Sequence, residues 1–252
     1  MAQWDTTSAT GTTIGELSPY PHPAMRLSAT GAVLDSDDHA LTLDGVSGYA
    51  SVEGPVVDES GSFTVSARVK PAGQQLATKP IGYRAQVAGQ RSGGQSSWAL
   101  WILKRTDDIY QWQFTRTATD SLGKVTHETV VTPAADLAEL DTWVDVTGVF
   151  DAQAPFEAID PEDPSQTREG LGTLRLYVGS FFMESSSSPG FDAVQQGAGE
   201  LAAGRGAQGG TTGHYLPGSL RQLRIWTGAM DRNQIGHQVL DPTVDDATTL
   251  SQ

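Results

Sequence analysis

The chain of 252 residues contains no cysteine. Disulfide bonds, thiolate metal sites and cysteine nucleophiles are therefore excluded. This absence leaves the compartment open, because a cysteine-free chain can function inside or outside a cell. The start, "MAQWDTTSATGTT", has no charged segment followed by an apolar one, so no signal peptide is predicted. We therefore expect either a protein that stays inside the cell or a domain of a longer exported chain.

Long apolar runs and positive charge are also scarce. No apolar run approaches the roughly 18–20 residues that span a bilayer, so membrane insertion is not expected. The chain has 16 Lys and Arg residues against 30 Asp and Glu residues, a net charge of −14. Nucleic-acid binding needs a basic surface and is not expected either. An acidic chain is consistent with solubility and with a cation site.

The sequence carries no motif of a catalytic site. Its five histidines are scattered without the spacing of a metal site. No G-x-S-x-G elbow and no phosphate-binding loop is present. We therefore predict that the protein is not an enzyme.

Short alternating segments are abundant, with 28 glycines and 13 prolines to separate them. In "FTVSARVK" (63–70) and "YQWQF" (110–114), apolar and polar residues alternate, which is typical of strands with one buried face. Strands are predicted near 40–44, 48–53, 62–70, 97–104, 109–117, 124–131, 142–150, 172–179, 199–204 and 217–226. Short helices are predicted at 133–140 and 230–240, and the acidic segment 151–170 is expected to be a loop because of its prolines.

These patterns predict an all-β sandwich of two antiparallel sheets. No linker and no internal repeat divides the chain, so a single domain over 1–252 is expected, with its core at about 36–240 and an N-terminal strand near 1–6. Ten side chains are predicted to form the core: Phe63, Val65, Val69, Leu100, Trp112, Phe114, Val146, Leu176, Leu223 and Ile225.

Several of these segments resemble a known family. "ALTLDGVSGYASVEGPVVDESGSFTVSARVKP" (40–71) looks like the first half of the laminin G-like (LamG-like) jelly-roll domains of the concanavalin A-like lectin/glucanase superfamily, of the type found in large exported actinobacterial proteins. The likeness continues in chain order with "WVDVTGVFDA" (143–152), "GTLRLYVGS" (172–180), "LAAGRG" (201–206) and "PGSLRQLRIWTGAM" (217–230), and "AQWD" fits the first strand. The resemblance implies a concanavalin A-like jelly roll.

The resemblance also bears on catalysis and on calcium. Glucanases of the superfamily carry an E-x-D-x-x-E strand, which is missing here and strengthens the non-enzyme prediction. Many relatives hold a Ca²⁺ ion at the rim, and the resemblance places Asp44 and Gly45 at that site. However, Arg221 and Gln222 stand where the family usually has an acid, so a weakened site or none is expected. The acidic loop from Asp160 to Asp163 is a second candidate.

A ligand surface is predicted from strand parity. Trp101 falls on the opposite side of its strand from Trp98 and Leu100, so its indole is expected to be exposed. Indole, amide and guanidinium groups together can stack a sugar ring and bind its hydroxyls. The alternative is that a loop covers Trp101. The predicted ligand-binding residues are Trp101, Arg68, Gln111, Gln113 and Arg116, whereas Trp112, Trp143 and Trp226 are assigned to the core.

Two main functions remain open at this point, with glycoside hydrolysis as a distant third. The first is a non-catalytic, lectin-like module that binds glycan within a larger secreted or cell-surface assembly. The second is a structural or protein-interaction domain without a sugar site, for example in a secreted antibacterial or adhesive particle. An exposed Trp101 would favour the first function, and a buried Trp101 the second.

Overall fold

The structure is a computed structural model that describes residues 1–20, 22–119, 125–132, 138–159, 165, 167–179, 181–183 and 196–240. It is 57% strand and 7% helix, so the prediction of an all-β protein is confirmed. The strands are β1 Ala2–Thr10, β2 Thr13–Glu16, β3 Met25–Leu27, β4 Ala32–Asp35, β5 Ala40–Asp44, β6 Ala50–Val52, β7 Phe63–Pro71, β8 Arg84–Ser92, β9 Gln95–Lys104, β10 Tyr110–Thr119, β11 Val125–Val131, β12 Val144–Ile159, β13 Thr167–Val178, β14 Phe181–Met183, β15 Leu201–Ala203, β16 Gly206–Gln208, β17 Thr211–Gly213 and β18 Pro217–Thr227. The helices are α1 Gly73–Ala77 and α2 Arg232–Ile235, with a π-helical turn at Gly236–Leu240.

The strands form two layers that are joined along one edge. The front layer runs β11-β10-β9-β8-β15-β6, and the back layer runs β18-β7-β12-β13-β14 with β5 and β4 beside β18. Strands β3, β2 and β1 connect the layers, and the pairs between described strands are antiparallel. The Phe63 ring in the back layer lies 5.6 Å from Trp98 and 6.2 Å from Phe114 in the front layer. The architecture is therefore the predicted sandwich.

The core between the layers has the predicted composition. All ten predicted core residues are at most 5% exposed, so the period-2 patterns identified the inward faces correctly. Trp4, Ile14 and Met25 of the N-terminal strands belong to the same core. Gly148 has no side chain where it faces Phe114, and a Cβ there would lie 2.6 Å from the ring. Close approach of the layers requires glycine at this position.

All ten predicted strands are present, but the prediction of a loop at 151–170 is wrong. Strand β12 continues to Ile159 and pairs with β13 from Thr167. Pro155 lies beside a register shift, where a residue without a backbone N–H donor is tolerated. The predicted loop is therefore the extended end of a hairpin over most of its length.

Several strands were not predicted (β2, β3, β4, β8, β14, β16 and β17), and one of the two predicted helices is not confirmed. Strand β8 was not predicted, since "RAQVAGQRS" has glutamines at positions that tertiary contacts bury. The predicted helix at 230–240 is present as α2 and the π-helical turn, with a capping box at Asp231. Of the predicted helix at 133–140, residues 133–137 lie outside the described part, and 138–140 are not helical.

The C-terminal helical segment covers part of the outer surface of the back layer. Its residues Met230, Ile235 and Val239 pack on outward-facing side chains of the sheet. Those side chains are Val149, Tyr177 and Trp226. Trp226 is therefore buried, as predicted, but in this second cluster and not between the layers. Another part of the outer surface, around Arg68 and Asp145, is polar.

A buried ion pair lies at one end of the core. Arg116 is 0% exposed and its guanidinium donates to the Glu59 carboxylate at 2.5 Å and to the Glu59 backbone carbonyl at 2.5 Å. The guanidinium carbon also lies 5.3 Å from the Phe63 ring centre and 4.9 Å from that of Phe150. Burial raises the pKa of Glu59 and lowers the pKa of Arg116, against the mutual attraction of the pair. Removal of either side chain would therefore leave the other as a buried charge without a counter-ion.

We expect Glu59→Ala to lower the free energy of unfolding by about 3–5 kcal/mol, because it leaves a buried guanidinium without its counter-ion. Chemical denaturation measures this. The control is Asp107→Ala, which removes the 81%-exposed partner of Lys104 and should cost less than about 1 kcal/mol. Equal costs for the two variants would contradict the importance of the buried pair.

Candidate functional site

The indole of Trp101 is sealed, so the prediction that it is exposed is wrong. The side chain is 3% exposed, and its Nε1 donates to Thr115 Oγ1 at 2.8 Å. The His214 ring meets the indole edge-on at 5.6 Å between ring centres. Gly206 lies so close that a Cβ there would be 2.8 Å from the indole. The β16–β17 hairpin and His214 therefore cover this side of the front layer.

Of the other four predicted ligand residues, Gln113 lies directly opposite Trp101 and Gln111 shares its face of the sheet, but Arg116 and Arg68 do not join them. Gln111 and Gln113 are 5% and 4% exposed, and Gln111 Nε2 donates to the Thr132 carbonyl at 2.5 Å. Arg116 points into the core, because it shares the parity of the buried residues of β10. Arg68 lies on β7 in the opposite layer. A ligand role for these five residues stays a prediction, and the open surface expected for it is not present.

The covering hairpin is an element that the sequence patterns missed. Strands β16 and β17 have three residues each, too few for a period to be recognised. Their link is Gly209–Gly210, both with positive φ (61° and 79°), the two-residue turn that suits a hairpin. In the sequence, the Gly209–Gly210 pair was the feature that could have predicted this hairpin.

The carboxylate of Asp44, a predicted calcium ligand, accepts hydrogen bonds from the backbone of the turn that follows it. Asp44 Oδ1 accepts the backbone N–H groups of Val46, Ser47 and Gly48, each at 2.8 Å. Burial, which raises the pKa of this carboxyl, is outweighed by these hydrogen bonds and that of the Ser47 hydroxyl, which lower it to about 2. The geometry is that of a carboxylate stabilising a tight turn.

The backbone carbonyl of Gly45, the second predicted calcium ligand, already binds a positively charged group of the protein, the ammonium of Lys79. Lys79 Nζ donates to the Gly45 carbonyl at 2.7 Å and lies 5.0 Å from the Tyr83 ring centre. An ammonium on this carbonyl opposes a calcium ion by charge repulsion. Within the described residues, no group of three His, Asp or Glu side chains could hold a metal. The second candidate, Asp160 to Asp163, lies outside the described part.

A partly exposed tryptophan lies on the polar part of the back layer. Trp143, which was predicted to be in the core, is half-buried, whereas the other five tryptophans are buried. The Arg221 guanidinium carbon lies 4.3 Å and Lys70 Nζ 5.1 Å from its ring centre. We call this area the Trp143 surface, formed by Trp143, Arg68, Lys70, Arg221, Asp38 and Asp145.

Arg221 reaches Trp143 because of a bulge in β18. The register of β18 against β7 shifts between Leu220 and Gln222, which leaves Arg221 as the extra residue. At the same point β18 changes its other partner from β5 to β1. The Arg221 guanidinium donates to Asp38 Oδ1 at 3.0 Å, and Lys70 Nζ donates to Asp38 Oδ2 at 2.8 Å. The lysine hydrogen bond is the largest of several contributions that lower the pKa of Asp38.

A row of polar pairs extends this surface across four strands. Arg68 on β7 is 40% exposed at its side chain and donates to Asp145 Oδ2 on β12 at 3.1 Å. Gln222 on β18 donates to Asp5 Oδ2 on β1 at 2.7 Å. Burial raises the pKa of Asp145, although Arg68 opposes this. The carboxylates are balanced by cations, so the surface presents donors and acceptors without a large excess of either charge.

Such a surface can bind a polar ring. An indole offers an apolar face, and fixed guanidinium and carboxylate groups offer donors and acceptors for hydroxyl groups. Arginine holds its donors in a planar fork, which makes their directions specific. No bond-making chemistry follows from this arrangement.

Comparison with known proteins identifies the fold. The chain is similar to the binding domain of botulinum neurotoxin serotype D (TM-score 0.61, 11% identity, 93% of this chain and 50% of that chain). It is also similar to the botulinum neurotoxin type G receptor binding domain (0.60, 10%, 94% and 50%) and to Trypanosoma rangeli sialidase in complex with sialic acid (0.59, 14%, 95% and 33%). The chain shares the β-sandwich, jelly-roll fold of these proteins.

These likenesses are limited to the fold. At 10–14% identity they carry no residue roles, and this chain spans about half the length of the toxin domains. No protein-family model matches the chain, and no curated protein matches it significantly. The narrower LamG-like assignment therefore stays a prediction. In the described residues, no helix has the length and apolar character needed to cross a membrane.

We expect calcium to leave the melting temperature unchanged, because Lys79 occupies the Gly45 carbonyl and the turn occupies Asp44. Thermal unfolding with Ca²⁺ and with a chelator measures this. Lys79→Met serves as the control, since it removes the ammonium and should lower the melting temperature without creating a calcium response. A rise with Ca²⁺ that the chelator reverses would show that the rim binds the ion.

Asp44 should contribute stability that acid removes. Its folded pKa of about 2 is below the ordinary value of 3.8, so its contribution is present above about pH 4 and is lost as the pH falls through about 2. We expect Asp44→Asn to cost about 1 kcal/mol at pH 7, since solvent screens this exposed group, and almost nothing near pH 2. Urea denaturation at both pH values measures the difference, with the exposed Asp108→Asn as control. A cost independent of pH would contradict this.

Proposed function

We propose that this protein is a non-catalytic recognition module that binds a saccharide at the Trp143 surface. The observation that carries the proposal is the half-buried indole of Trp143 among fixed guanidinium, ammonium and carboxylate groups. It combines the two contacts that a sugar needs, an apolar face for the ring and paired polar groups for the hydroxyls. Trp143 takes the role that sequence parity gave to Trp101.

The fold supports a recognition role in general. Structures of similar fold include a toxin binding domain, a toxin receptor binding domain and a sialidase bound to sialic acid. Fold likeness alone does not transfer a ligand, so the saccharide rests on the Trp143 surface. The non-catalytic part of the proposal rests on two observations. The E-x-D-x-x-E strand of the glucanases is missing from the sequence, and the buried carboxylate of Glu59 is paired with Arg116 and is 2% exposed.

The setting of the module is part of the proposal. The resemblance to domains of large exported proteins supports a place in a longer secreted or cell-surface protein or complex. A single saccharide site of this kind binds weakly, with aromatic stacking contributing about 1–3 kcal/mol. Such binding becomes effective when many modules are linked. A larger assembly would supply that multivalency.

A second function, a protein-interaction module without a sugar site, is favoured by the sealed Trp101. The buried indole removes the stacking surface that parity placed on the front layer. This alternative predicts that no saccharide binds measurably.

The test is a glycan-array screen, followed by titration of any bound saccharide against Trp143→Ala. We expect the variant to lose about tenfold or more in affinity, because stacking is removed. Trp143→Phe should retain part of the affinity, since it keeps an aromatic face. Thermal unfolding of each variant confirms that the fold is intact.

Three results would contradict this proposal. No binding on the array, or unchanged affinity in Trp143→Ala, would leave the protein-interaction module as the better function. Release of reducing sugar from a bound saccharide would show that the module is catalytic.

A further inference from the structure

Strand β4 has hydrogen-bonding groups that face away from its partner. Among the described strands it pairs with β5 alone, in a register that places Val33 opposite Thr42. Asp44 N donates to the Gly31 carbonyl at 2.9 Å, which makes that pair a hydrogen-bonded one. Hydrogen-bonded and non-hydrogen-bonded pairs alternate along an antiparallel ladder. The N–H and C=O groups of Ala32 and Leu34 therefore point outward.

The outward edge of β4 opens into a groove. The groove is lined by small and apolar residues of β4, of the β1–β2 turn, of the end of β3 and of the residue that follows β3: Gly11, Thr12, Leu27, Ser28, Ala32 and Leu34. The side chain of Val33 is 63% exposed. An exposed edge beside an apolar groove is the arrangement into which an extended peptide adds as a further strand. Backbone hydrogen bonds to β4 would supply the affinity, and the groove would supply contacts for the side chains of the peptide.

The charge around this edge selects the partner. Asp35 at the end of β4 and Asp37 in the following turn are exposed. The whole chain carries a net charge of −14, so two copies repel each other. A peptide with lysine or arginine near its end complements the carboxylates. A second copy of this chain, with its own net charge of −14, does not complement them.

We propose that β4 is a docking edge for an extended, basic segment of a partner protein, which pairs with the backbone of Ala32 and Leu34. This edge adjoins the Trp143 surface at the turn that contains Asp37 and Asp38, but it uses the backbone of β4 and not the indole. The protein therefore has one place for a saccharide and another for a polypeptide.

The experiment uses a capped six-residue peptide that alternates valine and threonine between two terminal lysines, titrated by calorimetry or by NMR shifts. Binding at about 1 mM or below is expected. A peptide with terminal glutamates should bind at least about tenfold more weakly, because of the acidic edge. Asp37→Lys should weaken binding of the lysine peptide, whereas the remote Asp108→Lys should not.

N-methylation of alternate amides separates strand addition from other modes of binding. One edge of the peptide pairs with β4 and the other faces solvent, so methylation of one alternate set should abolish binding and methylation of the other should not. The protein is unchanged in this comparison. Ala32→Pro, which removes an outward N–H group, should also cost about tenfold, while Val33→Thr should have little effect.

Several outcomes would overturn the proposal. These are no binding of the lysine peptide, equal loss from the two methylated sets, and sedimentation of the protein alone as a dimer that Ala32→Pro dissociates. The last outcome would make a second copy the occupant. Trp143→Ala should bind the peptide normally, so failure of the saccharide proposal leaves this one untouched.

Discussion

Phe63 is the residue on which the joining of the two layers depends. Its ring is 0% exposed and lies 5.6–6.2 Å from the rings of Trp98, Phe114 and Phe150, in tilted or edge-on contacts. Aromatic pairs of this kind add to the free energy of simple burial. Gly148 lets the back layer approach Phe114 closely, so the whole front layer is positioned against β7 and β12 at this point.

The same cluster also holds a charge inside the protein. Arg116 lies against Phe63 and Phe150, and its charge is met by Glu59 from the segment between β6 and β7. Ser97 donates to the other oxygen of the Glu59 carboxylate at 2.8 Å. A buried ion pair adds little net stability compared with apolar packing, but it penalises any arrangement that separates its partners. It therefore fixes where the segment between β6 and β7 crosses the end of the sandwich.

Coverage of the outer sheet surfaces decides where this protein can bind anything. The β16–β17 hairpin closes over Trp101 on the front layer, and the C-terminal helical segment closes over Trp226 on the back layer. Two of the surfaces that the described residues leave open are the polar part of the back layer and the edge of β4. On the first of these, the bulge in β18 places the Arg221 guanidinium against the half-buried indole of Trp143.

The sequence by itself determined the sandwich, because alternation along a strand depends on local geometry alone: Phe63, Leu100 and Trp112 were assigned to the core correctly. It did not determine the site. Parity states on which side of a strand Trp101 lies, but a hairpin more than a hundred residues away in the chain covers that side. Likewise, the motif containing Trp143 indicated a core position, and only the bulge in β18 and the turn at Asp38 placed cations beside it. Burial of an outward side chain depends on distant segments, and that information exists only once the tertiary structure has formed.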